Sequence, residues 1–112
     1  MYFKYLMSTV HDTSIKNGWY SDAEPTFSDF ISNVHREVSE AFDDHAHGLH
    51  GIHKKLDDKG ELKPYGVTIE LADVVMRIMS YCVRNDISLE HAIIIKDAYN
   101  RTRDYRHGGK IV

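Results

Sequence analysis

A single cysteine, Cys82, leaves this chain of 112 residues without an internal disulfide. That excludes the stapled scaffolds of small secreted domains and fits a reducing compartment. Cys82 lies in the apolar run Met79-Ser80-Tyr81-Cys82-Val83, where a small thiol packs as a buried hydrophobe. No uncharged apolar stretch approaches the roughly 18 residues that span a bilayer. The opening MYFKYLMSTVHD also lacks the basic start, long apolar segment and small-residue cleavage site of a leader. A soluble cytoplasmic protein with no membrane partner is expected. Neither sign of charge dominates: 14 Lys+Arg face 17 Asp+Glu, a formal net charge of −3. That balance provides no basic field for gripping a nucleic-acid polymer.

Proline is scarce as well. Pro25 and Pro64 are the only two, and both fall in polar stretches between periodic segments, where proline punctuates helices rather than breaking them. The spacing predicts a helix over 2–16 that stops at Asn17-Gly18. A second starts near Thr26 or Ser28, with Phe27, Phe30, Ile31, Val34, Val38, Ala41 and Phe42 along one face. A third runs from 67 to 84, apolar around most of its circumference and therefore central. A fourth is capped by Ser88 and continues to about Asp104. Residues 45–65, with Gly48, Gly51, Gly60 and Pro64, read as irregular, and no segment shows a strand pattern. The expected architecture is one all-α domain over 1–112, a four-helix bundle. A chain this short buries only about two thirds of its unfolded surface, so oligomerisation is expected to complete the core.

Polar residues interrupt the third helix in an ordered way. Glu70, Asp73, Arg77, Ser80 and Arg84 follow alternating steps of three and four, which makes one stripe on an otherwise apolar cylinder. Carboxylates on such a helix need positive compensation, and Mg²⁺ or Mn²⁺ prefers their oxygens. Glu37 and Glu40 form a matching E-x-x-E on the second helix; alone, such a pair is usually a solvated helix face. Packed together, the two motifs would gather Glu37, Glu40, Glu70 and Asp73, enough to hold two cations about 3.5–4 Å apart. On the fourth helix Lys96, Asn100 and Arg103 fall at steps of four and three, followed by Arg106, His107 and Lys110. A point charge, an amide and a planar fork on one face suit a polyphosphate.

With these residues in view, the chain resembles the MazG-like, all-α nucleoside triphosphate pyrophosphohydrolases, relatives of the dimeric dUTP and dCTP pyrophosphatases. The likeness runs through Gly18-Trp19, H-R-E-V-S-E-A at 35–41, E-L-A-D-V-V at 70–75 and K-D-A-Y-N-R-T-R at 96–103. The closing Y-R-H-G-G-K at 105–110 is similar to the ending of small, often phage-encoded members, for which the location would be the host cytoplasm. Arg36 departs from the pattern, standing where many members carry the first of two adjacent acids. The resemblance implies Mg²⁺ ligation by Glu37, Glu40, Glu70 and Asp73, triphosphate contacts from Lys96, Asn100 and Arg103, and a homodimer or homotetramer. The implied reaction is hydrolysis of a nucleoside triphosphate to monophosphate and pyrophosphate, by water attack at the α-phosphorus. Glu40 and Glu37 are the candidates for accepting the water proton, and Lys96 and Arg103 would stabilise the departing pyrophosphate.

Three features stay open at this level. Trp19 either stacks on a base or anchors its loop. His45, His47, His50 and His53 lie within nine residues, but two intervening glycines loosen the ordered spacing zinc requires. A carboxylate-bridged di-iron bundle is a weak reading, because it normally wants Glu-x-x-His pairs and no Glu here has a His three residues later. The alternative from another class is a non-catalytic helical interaction or regulatory protein that uses its acidic stripes as partner surfaces.

Overall fold

The computed structural model describes residues 2–103 and 106–111, with the backbone alone at 107 and 108. It is mostly helical. The elements are α1 (Tyr2–Lys16), α2 (Phe27–Ala46), β1 (His53–Leu56), β2 (Leu62–Tyr65), α3 (Val67–Arg84), α4 (Leu89–Asn100) and the single-turn α5 (Arg106–Gly109). Among the described residues, no helix is long and apolar enough to cross a membrane.

Local chemistry sets most of the helix ends. Thr26 and Asp29 form a reciprocal capping box: the Asp29 N–H donates to Thr26 Oγ1 at 3.1 Å, and the Thr26 N–H donates to Asp29 Oδ2 at 2.8 Å. At the end of α1 the Trp19 N–H reaches the Ser14 carbonyl and the Gly18 N–H the Ile15 carbonyl, with Gly18 at φ +87°. This paired closure satisfies orphan carbonyls and needs a left-handed residue. Asp86, at φ 55°, makes the same closure after α3. Both ends therefore fix the direction in which the next loop departs.

Helix α3 is the centre of the fold, as its apolar circumference predicts, with α1 on one side and α2 on the other. The tightest packing joins Met7 of α1 to Met79 and Cys82 of α3, flanked by Phe3, Val10, Ile78, Val83 and Leu89. Burial pushes the Cys82 thiol above its ordinary value, in keeping with an inert structural role.

Two expectations are corrected. The stretch 45–65 is not irregular throughout. β1 and β2 form an antiparallel hairpin with His53 opposite Tyr65 and Leu56 opposite Leu62. Its turn is built by Asp57, whose Oδ1 accepts from the N–H groups of Lys59 and Glu61, both at 2.9 Å. Pro64 is tolerated because a two-stranded ribbon has only edges. The second correction concerns the fourth helix, which ends at Asn100 rather than near Asp104, a residue outside those described. Beyond Asn100 the chain tightens into i−3 bonds, Thr102 to Tyr99 and Arg103 to Asn100.

Helix α3 begins without a side-chain cap. The loop after α2 supplies the acceptors instead: Val67 N–H donates to the Leu49 carbonyl at 2.9 Å and Thr68 N–H to the Gly51 carbonyl at 3.2 Å. Gly66 makes this junction possible, at φ +112°, where an added Cβ would lie 2.7 Å from the Gly51 carbonyl oxygen. Gly66→Ala is expected to destabilise the protein by about 2 kcal/mol or more. A lowered midpoint with an unchanged slope in urea unfolding would show it; an unshifted midpoint would refute this account of the junction.

Helix α4 stands apart from the packed layer. Leu89 reaches the core, but every residue from 91 to 100 is exposed, including Ile93, Ile94, Ile95 and Tyr99 at 49–59%. Three helices, not four, share the packed layer of the single chain. The radius of gyration is 16.9 Å, against about 13 Å for a compact domain of this length.

Candidate metal and ligand site

The polar stripe of α3 faces α2 and the loop that follows α1, and together they enclose a cavity of about 300 Å³. At one end, Glu37 from α2 and Glu70 and Asp73 from α3 offer carboxylate oxygens within 4.8 Å of one another. Glu37 is buried, Glu70 and Asp73 are half-buried, and Glu40 is exposed one turn further along α2. The packing of α2 on α3 thus gathers three of the four expected acids, with the exposed Glu40 beside them in hydrogen-bond reach of Glu70.

The electrostatics of this end are those of crowded acids. Burial, then the neighbouring carboxylates of Glu40 and Asp73, push Glu70 up to about 7. Asp73 is also raised, first by burial and then by Glu37, while Arg77 pulls the other way. One oxygen of Glu70, Oε2, is buried with no hydrogen-bond partner. An orphaned carboxylate oxygen facing two other acids fits a hard divalent cation, which takes oxygen ligands.

The rest of the cavity is aromatic and polar. The Arg77 guanidinium lies 4.4 Å from the Trp19 ring centre and donates to Glu37. Phe30 and Tyr81 stack at 4.0 Å with 13° between their planes. Further along, the Ser80 hydroxyl is 2.9 Å from His11 Nδ1 and 2.8 Å from the Tyr20 hydroxyl. Burial, followed by the positive Arg84, holds the His11 imidazole below its ordinary value. A neutral imidazole offers one donor and one acceptor, so the Tyr20-Ser80-His11 chain is satisfied in either direction. Arg84 lies 4.6 Å from the Tyr20 ring centre and donates to both oxygens of Glu24, at 2.6 Å from Nη2 and 2.9 Å from Nε.

The cations expected to hold phosphates are elsewhere. Lys96 and Asn100 lie on α4, Arg103 in the turn beyond it, and Arg106 and Lys110 in the exposed tail. Lys96 and Arg103 both approach the Tyr99 ring, but neither lines the cavity. The His107 side chain lies outside the described residues. Trp19 does line the cavity, as do Arg77 and Arg84. Those two arginines carry a signal already visible in the α3 stripe, where they follow the acids at helical spacing. His11 and Glu24 give none, because only tertiary packing brings them here. The histidine segment does not close as a metal site: His47 and His53 donate to the carbonyls of Asp43 and His50, while the His45 and His50 rings meet edge to face. Compared with known proteins, the chain matches no family model, no curated protein and no solved structure.

Proposed function

We propose that this chain is a Mg²⁺-dependent nucleoside triphosphate pyrophosphohydrolase of the MazG-like, all-α type, with Mn²⁺ an acceptable substitute. The observation that carries the reading is the convergence of Glu37, Glu70 and Asp73, with a buried unpartnered Glu70 oxygen, at one end of an aromatic-walled cavity. Such a cavity accepts a planar ring, while the acids beside it suit the metal of a metal–polyphosphate complex. When bound, the cation supplies charge neutralisation on the phosphates and an acidified water. Glu37, Glu70 and Asp73 hold it. Glu40, exposed at the rim beside Glu70, is the carboxylate with room to accept a proton from water. Trp19 and the stacked Phe30 and Tyr81 exclude water around the ring of the ligand.

The chain acts as a homo-oligomer in this reading. Helix α4 is apolar around much of its surface, and a helix of that kind is normally buried. Exposed apolar pairs at helical spacing also occur on α2 (Val38, Phe42) and α3 (Leu71, Val75). A neighbouring subunit that covers these surfaces completes the four-helix bundle. Its α4 would then present Lys96, Asn100 and Arg103 to the triphosphate from across the interface.

The test is a screen of standard and modified nucleoside triphosphates with Mg²⁺, read as pyrophosphate and monophosphate production together with calorimetric Mg²⁺ binding. The reading expects both signals. No heat on adding Mg²⁺ and no pyrophosphate from any triphosphate would overturn it in favour of a non-catalytic interaction protein.

A further inference from the structure

Arg77 is tied at once to the acid cluster and to the cavity wall. Its Nε donates to Glu37 Oε1 at 2.9 Å and its Nη2 lies 2.8 Å from the same oxygen, while its planar head covers Trp19. Glu37 is one of the three converging acids and the most buried of them, so its charge needs a partner at all times. A divalent cation at the cluster would concentrate more positive charge on the same carboxylate than a delocalised guanidinium does. Two cations a few ångströms apart also repel in a partly buried setting. Arg77 and a metal ion therefore compete for Glu37.

We propose that Arg77 is a place-holding cation, displaced from Glu37 when a divalent ion enters, and that its departure is passed to Trp19 in the cavity wall. The inference rests on Glu37, Glu70 and Asp73 being the metal site. It adds an order of events: the metal enters first, and the released fork, which suits phosphate geometry, then faces an anionic ligand in the cavity. Metal and polyphosphate are thereby coupled through one side chain.

The chain holds one tryptophan, so its fluorescence reports on this wall alone. The experiment uses the full chain and Mg²⁺ without nucleotide, with binding followed by calorimetry and Trp19 emission in parallel. In the wild type, emission is expected to change saturably with the same midpoint as the heat. Arg77→Met should bind Mg²⁺ about tenfold more tightly, since the charge-assisted pairing with Glu37 no longer competes, and its Trp19 emission should no longer respond. Arg77→Lys keeps the charge without the fork and should fall between. Wild-type protein that saturates with Mg²⁺ at constant Trp19 emission would overturn the exchange, a result that needs no variant to fold. Arg77→Met binding no more tightly than wild type would overturn it as well. Absence of any Mg²⁺ heat in the wild type would instead overturn the metal site on which the exchange depends.

Discussion

Glu70→Gln and Asp73→Asn proteins are expected to lose Mg²⁺-dependent pyrophosphate release by at least about 100-fold while remaining folded. Groups that merely support metal ligands cost about 10–100-fold when removed, and these two carboxylates sit in the cluster itself. Each substitution keeps the shape of the side chain and removes one charge. Circular dichroism checks the fold, and steady-state turnover checks the loss; full turnover in either folded variant would sink the catalytic assignment. Glu70→Gln has a second, opposite effect on the metal-free protein. The folded state holds the Glu70 proton up to about pH 7, against an ordinary value of 4.5. Its contribution to stability is therefore complete below the unfolded value and is lost as pH rises through the folded one. In EDTA, wild-type melting temperature should fall between about pH 4.5 and 7 more than that of Glu70→Gln, and added Mg²⁺ should restore the wild type. Parallel melting curves for the two proteins across that window would show that the carboxyl does not carry the burden assigned to it.

Replacing Ile94 and Ile95 together by Asp is expected to convert the proposed oligomer to monomer and to remove the proposed activity with it. Both isoleucines are more than half exposed in the single chain, at 59% and 56%. A carboxylate trapped unpaired in an apolar contact costs about 3–5 kcal/mol, and a two-fold interface repeats that cost on both sides. Association should weaken by more than about 1000-fold, enough to show in sedimentation at micromolar concentration. A companion measurement separates assembly from chemistry. Lys96→Ala/Arg103→Ala chains should remain oligomeric but inactive, and mixing them with Asp73→Asn chains should restore part of the turnover. Each mixed pair then holds one site with intact acids and intact cations. No restoration on mixing, with exchange of subunits verified, would place both sets of residues within one subunit's own site.

The fold was legible where short-range chemistry decides it. Asn17-Gly18, Thr26 and Ser88 mark helix ends because the stop and cap interactions lie within a few residues of chain. The hairpin was hidden because His53–Leu56 and Leu62–Tyr65 are short and largely exposed, so no apolar alternation betrays them. Its specification resides in Asp57 and Gly60, which read equally well as a plain turn. In the site, E-x-x-E and E-x-x-D identify the helices that meet. They do not say that Glu37 is buried and Glu40 exposed beside Glu70, since the rotation of α2 is set by packing against α3. The expected cations were chosen for spacing on a helix that lies apart from the cavity. Arg77 and Arg84, in phase with the acids on α3, are the cations that line the cavity of the single chain.

One helix, α3, carries two of the three clustered acids, Arg77 and the hydroxyl at the far end of the cavity. Asp73 and Ser80 are seven residues apart, roughly 10.5 Å along an α-helix. That distance is a ruler cut into the backbone, independent of loop conformation. A one-residue insertion between them would lengthen it by only about 1.5 Å but rotate one end against the other by about 100°. The acids and Ser80 would then address different sides of the molecule. Frame-shifting insertions in this one stretch of α3 should be far less tolerated than insertions of equal size at the hairpin tip, residues 57–61.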